Sequence, residues 1–209
     1  MMMSKPNPEN TIVVNVFDLW DPRKAKSMKI VKDGAAIPLG GMSNGVGQMV
    51  TEITRLVSNP PKKVRLLRIF SHGGEGVMAV SMGNGADPGY KPENRASIDV
   101  NNFSLIKADL AKLKDHFSAN ALVELHGCSV GGGTPGDKLL QSLADLWGVR
   151  VKAGTMVQFS GNAGNQVKFE GPTKTASPGG KAPASNGESM SAEQITYYVA
   201  KEIQSWFAD

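Results

Sequence analysis

The sequence predicts an α/β fold, a three-layer α-β-α sandwich around a mainly parallel sheet, on three observations. Short β-rich apolar runs alternate with segments of helical periodicity about a dozen residues long, the pattern of strands joined by crossover helices. Two of the apolar runs, Val64–Ser71 and Ala121–His126, stop at a polar residue next to glycine: His72-Gly73 after the first, Gly127-Cys128 after the second. One helical segment, 102–117, lies just ahead of the second run, so the two strand ends are expected side by side.

Residues 1–10, with two prolines, read as a disordered lead, and 11–209 as a single α/β domain. Thr11–Leu19 is β-rich and apolar enough for a buried strand, ended by Asp21-Pro22. Residues 23–42, lysine-rich and then glycine-rich, suggest a loop or an edge hairpin. Val46, Met49, Val50, Ile53 and Val57 recur at helical spacing, and Asn59-Pro60-Pro61 stops that helix. Strand Val64–Ser71 follows, then a short strand within 76–83 and a turn-rich excursion to Arg95. Asn102 caps a helix with Phe103, Ile106, Leu110, Leu113 and Phe117 on its apolar face.

After the strand at 121–126, Thr134 suits a helix N-cap, Pro135 the first helical position, and Asp137 the positive end of the helix. That helix buries Leu139, Leu140, Leu143 and Leu146, and Gly148 ends it. Val149–Gln158 is a strand candidate, with Gln166–Glu170 as its pairing partner. Residues 171–190 are Pro-, Gly-, Ser- and Ala-rich and read as a flexible loop. Ser191 and Gln194 form a capping box for a last helix bearing Ile195, Val199, Ile203 and Trp206.

A chain of 209 residues with 40% hydrophobic and 20% charged content can bury a proper core. The net charge is +4, but its lysines and arginines are dispersed and few aromatics accompany them, which argues against nucleic-acid binding. The one cysteine rules out an internal disulfide and fits a reducing compartment. No apolar run approaches the ~20 residues that span a bilayer, and the N-terminus lacks a secretory signal. The expectation is a protein that is cytoplasmic where made, without a membrane partner; export without a signal peptide stays open.

The chemistry converges on the paired strand ends. A thiolate is the nucleophile, and an imidazole on the adjacent strand end can activate a thiol. Glycine lets a substrate backbone approach and leaves amide N–H groups for an oxyanion. The residues thus point to a Cys128/His72 dyad in which Cys128 attacks a carbonyl and His72 assists its activation or protonates the leaving amine, with the N–H groups of Gly73 and Cys128 as the oxyanion hole; a cysteine that packs and a histidine that satisfies a loop are the plainer alternative. No cofactor or metal is called for, and the partner is a protein or peptide substrate.

An apolar block ending in His-Gly, and another ending in Cys about fifty residues on, resembles the caspase-like cysteine peptidases, the group of caspases, metacaspases, gingipains and legumains. The segments RIFSHGGEGVMAV, LVELHGCSVGGG and LLQSLADLWGVRVKAGT resemble more closely a bacterial caspase-like domain family of unknown function, over about residues 62–156. The resemblance implies a caspase-like α/β sandwich with His72 and Cys128 at the dyad positions. It also implies that the end of the first strand helps line the pocket for the residue before the scissile bond. Asp18 lies there, which points to a basic residue at that position; a turn or capping aspartate is the plainer alternative. Two departures bear on specificity. His126-Gly127 stands where caspases carry Gln-Ala, and Val130 where they carry glycine.

Gly127-Cys128-Ser129-Val130-Gly131 also fits the Gly-x-Ser-x-Gly elbow of α/β-hydrolases, with Ser129 as the nucleophile of an esterase. That fold places its histidine after the serine, whereas His72, His116 and His126 all precede Ser129. A zinc site from His126, Cys128, His72 and Glu75 is a further rival, without a second tight ligand pair to support it. The glycines after Cys128 lack the Gly-Lys-Ser/Thr ending of a phosphate loop. A catalytically inactive caspase-like domain that binds partners through the same crevice is the non-enzymatic alternative.

Overall fold

The computed structural model of the chain describes residues 10–19, 22–40, 44–81, 95–158, 167–180 and 184–186. Strand β1 (Thr11–Asp18) leads into α1 (Pro22–Ile30), β2 (Ala35–Leu39), α2 (Gly45–Ser58) and β3 (Lys63–Phe70). Three short strands follow: β4 (Gly73–Gly74), β5 (Val77–Ala79) and β6 (Ser97–Asp99). Then come α3 (Phe103–Ala111), a 3-10 turn at Lys114–His116, β7 (Phe117–His126), α4 (Gly133–Trp147), β8 (Arg150–Gly154), β9 (Thr173–Ala176) and β10 (Ala184–Asn186).

The main sheet runs β10-β9-β8-β7-β3-β1-β2. Strands β2, β1, β3, β7 and β8 are parallel, while β9 and β10 add antiparallel pairs at one edge. Strands β4, β5 and β6 form a small antiparallel sheet beside the C-terminal end of β3.

The two faces of the main sheet differ in chemistry. Alternate residues Val14, Val16, Leu67, Ile69, Val123, Leu125, Val151 and Ala153 join the large core with α2, α3 and α4. Trp147 of α4 is buried there, and its indole N–H donates to the Leu110 carbonyl at 2.8 Å, tying α4 to α3. The opposite face carries Asn15 and Phe17, Arg68 and Phe70, Glu124 and His126, in matched register across β1, β3 and β7. Met28 of α1 and Val31 pack on Phe17 and Phe70 there, which completes the third layer.

Most of the expected elements form where the periodicity puts them. The apolar stripe of α2 is buried residue for residue. Several expectations are corrected. The described part of 23–42 is not a loop or hairpin: α1 carries the chain across the sheet to β2, which runs parallel to β1. Helix α3 ends at Ala111, and Phe117, expected on its apolar face, begins β7. The partner of β8 is β9, from the stretch expected to be a loop, rather than 166–170. Asn102 precedes α3 without a side-chain cap bond. Its carboxamide instead accepts from Asp99 N–H at 3.1 Å and donates to the Ser97 carbonyl at 3.0 Å, closing the β6–α3 turn. The expected disordered lead lies almost wholly, and the last helix wholly, outside the described residues, as does most of the excursion before Arg95.

Candidate functional site

Strands β3 and β7 are parallel neighbours, and Phe70 lies opposite His126. His72 and Cys128 therefore each stand two residues beyond the same rung, at the C-terminal edge of the sheet, where open α/β sheets bind ligands. Ser71 N–H donates to the His126 carbonyl at 3.3 Å and carries the pairing one step further. Both His72 and Cys128 are half-buried. Glycine at 73 and 127 makes the approach possible. A Cβ built on Gly127 would fall 3.2 Å from the Gly73 Cα, and one on Gly73 would fall 3.0 Å from the Cys128 carbonyl oxygen and 2.4 Å from Val130 Cγ2. Ala79 N–H donates to the His72 carbonyl at 3.0 Å, so Gly73 and Met78 form the non-hydrogen-bonded pair of that ladder. The Gly73 N–H is thereby directed away from β5.

After β7 the chain turns sharply. Ser129 has φ 54°, the left-handed region that is uncommon for a residue with a Cβ, and it is the only such non-glycine residue among the described ones. Ser129 N–H donates to the Met156 carbonyl at 2.8 Å, and Gly131 N–H to the Gly154 carbonyl at 2.8 Å, so residues 154–156 brace the turn. Helix α4 starts at Gly133 with Gly132 as its N-cap, so Thr134 lies inside the helix rather than capping it. The exposed Glu75 carboxylate lies against this start: a Cβ on Gly133 would fall 2.6 Å from Glu75 Oε2. A negative charge is favourable at that end of a helix.

Asp18, at the end of β1, is fully buried, and its carboxylate accepts a 2.8 Å hydrogen bond from the Ser71 hydroxyl. Its surroundings are those of a carboxylate holding Ser71, next to His72, rather than one open to a ligand.

Sequence reasoning missed Gln158. Its backbone N–H points at the Cys128 Sγ across 3.4 Å, and the thiol can donate to the Gln158 carbonyl at 3.6 Å. The Gln158 carboxamide accepts from Glu170 N–H at 2.9 Å, and its two N–H groups are shared among the carbonyls of Glu170 (2.9 Å), Met156 (3.1 Å) and Val157 (3.3 Å). No motif marks this residue, because its role depends on where the chain leads after β8.

Beneath the strand ends, four rings lie in a row across the sheet. Phe17 stacks on Phe70 (4.8 Å between centroids), Phe70 on His126 (4.7 Å) and His126 on Phe169 (4.3 Å). The Lys152 ammonium sits 5.0 Å from the centre of Phe169. An ionic network runs alongside. Arg68 forks onto Asp33 at 2.8 and 2.9 Å and reaches Glu124 at 3.1 Å, and Glu124 meets His126 Nε2 at 3.2 Å. Burial between the rings pushes the His126 imidazole below its ordinary value, so it is neutral near pH 7. Burial pushes the Glu124 carboxyl up, but the bonds from His126 and Arg68, with their charges, outweigh it and hold it below the usual carboxylate range. His126 is thus committed to the ring row, and among the described residues no group of three or more His, Cys, Asp or Glu is arranged to hold a metal ion. A hollow of about 420 Å³ opens beside the row between Glu124, Lys152, Lys168, Phe169 and Thr173. No helix among the described residues is long and apolar enough to cross a membrane.

Fold and site together define an α/β protein with a half-buried cysteine and histidine at adjacent parallel strand ends. A family model described as a domain of unknown function, DUF4347, matches residues 29–170, and the chain belongs to that family. The match includes His72, Cys128 and Gln158 and begins after Asp18. Comparison with curated proteins and with solved structures finds no match.

Proposed function

We propose that this protein is a cysteine peptidase of caspase-like type, acting on protein or peptide substrates where reducing conditions keep its one thiol free. Cys128 is the nucleophile. Its sulfur attacks the scissile carbonyl carbon, and His72 takes the thiol proton and delivers it to the leaving amine. The C–N bond breaks, a thioester remains on Cys128, and water hydrolyses it with His72 as base. The N–H groups of Gly73 and Cys128 hold the oxyanion, each such donor being worth about 3 kcal/mol in comparable sites. Asp18 acts through Ser71 on the segment that carries His72.

The observation that carries this reading is the Phe70–His126 rung, from which both groups extend by two residues. The test is alkylation of the single thiol by iodoacetamide. We expect faster reaction at neutral pH than for a free cysteine, and slower reaction in His72→Ala; a rate like that of free cysteine, unmoved by the substitution, overturns it. A fluorogenic peptide library, with Cys128→Ala as the control, then reads the residue before the cut.

The left-handed backbone of Ser129 favours one second reading, an esterase-type elbow with Ser129 as nucleophile. Hydrolysis lost in Ser129→Ala and kept in Cys128→Ala selects it; the reverse pattern selects the peptidase.

A further inference from the structure

We infer that Gln158 is a positioning residue for the Cys128 sulfur, its side-chain carboxamide latching the chain so that its own backbone N–H is held on the thiolate. This rests on the reading of Cys128 as a nucleophile. The carboxamide accepts from Glu170 N–H and shares its two N–H groups among the Glu170, Met156 and Val157 carbonyls, which fixes residues 156–158 against residue 170. The latch leaves no slack on its inner side: a Cβ on Gly154 would fall 2.5 Å from Gln158 Nε2. The same segment accepts the Ser129 N–H at the Met156 carbonyl, so latch and turn are one assembly.

The sulfur meets both backbone groups of Gln158. The thiol can donate to the carbonyl at 3.6 Å while the sulfur accepts from the N–H at 3.4 Å. The N–H already points at the sulfur of the thiol, and on a thiolate the same bond is charge-assisted. A side chain of similar size that cannot hydrogen-bond, as in Gln158→Met, retains the packing and releases the latch.

The test uses the full chain and iodoacetamide, read as a pH profile that folding alone does not shift. In Gln158→Met, the alkylation midpoint moves to higher pH and the rate at pH 7 falls roughly fivefold, the effect of one hydrogen bond. An unchanged profile in a variant with wild-type circular dichroism overturns the inference. A second measurement needs no variant: in ¹⁵N-labelled wild-type protein the Gln158 amide resonance titrates with the alkylation midpoint. A Gln158 amide that stays still while the thiol titrates overturns it as well. The underlying reading fails separately, through a wild-type thiol that reacts like free cysteine and ignores His72→Ala.

Discussion

Arg68 shows what a single side chain decides in this molecule. Its guanidinium bridges Asp33 and Glu124 with its side chain only 10% exposed, and Glu124 is 13% exposed. Replacing it with methionine leaves the Glu124 carboxylate buried without its cation. Arg68→Met is expected to cost about 3 kcal/mol, read as a lower urea midpoint, because removing one partner of a buried pair leaves an uncompensated charge. His126 sets a pH dependence. Its folded value lies below the ordinary histidine value of 6.5, so between the two the unfolded chain holds the extra proton. Its contribution to stability is complete above pH 6.5 and is lost as the pH falls through the folded value. Glu124, lowered below 4.5, acts in the same direction further into acid. His126→Phe keeps a ring in the row and removes the titration. The thermal midpoint of the variant should therefore fall less than the wild-type one between pH 7.5 and pH 5.5; parallel falls would remove His126 as the cause. None of this was legible from the residues. His126 reads as a strand end or a possible zinc ligand until Phe70 and Phe169 are seen on its two sides.

At the scale of elements, α4 and the turn before it meet through a single small residue. A Cβ on Gly136 would fall 2.4 Å from the Gly131 carbonyl carbon, a backbone atom that cannot step aside. Gly136→Ala gains helix propensity but forces the first turn of α4 off the loop that carries Cys128. A net loss of about 1–3 kcal/mol is expected, together with a changed thiol alkylation rate; unchanged stability would mean the helix start has room to shift. The apolar stripes of α2 and α4 and the interiors of β1, β3 and β7 were legible because burial writes its period into the sequence. Edge elements were not. Strand β2 lies at one margin and contains Pro38, tolerated there because an edge strand has no second neighbour to satisfy. Strand β9, next to the other margin, is Thr-Lys-Thr-Ala, scarcely apolar, and is held by its pairing with β8 and β10. Its Lys174 reaches back to Asp137 of α4 at 2.5 Å.

For the whole molecule, the extent of the family match and the extent of the sheet differ. The match starts at residue 29, yet β1 lies between β2 and β3. A fragment of residues 29–170 lacks this interior strand and would leave β2 with nothing to pair with. It is expected to give neither a cooperative thermal transition nor dispersed amide resonances, whereas the full chain gives both; a folded fragment would show that the sheet can close over the gap. The two faces explain why the sequence was readable on one side only. The face under α2, α3 and α4 is apolar throughout, so alternation and helical period report it directly.

By itself the sequence determined the α/β class and the succession along the chain of its interior strands and of the helices α2 and α4, because each depends on local period. Only the tertiary structure decided that Phe70 and His126 share a rung, that Asp18 is sealed against Ser71, and that Gln158 meets the Cys128 sulfur. Those are contacts between distant segments, and strand order and register, rather than any local pattern, bring such segments together.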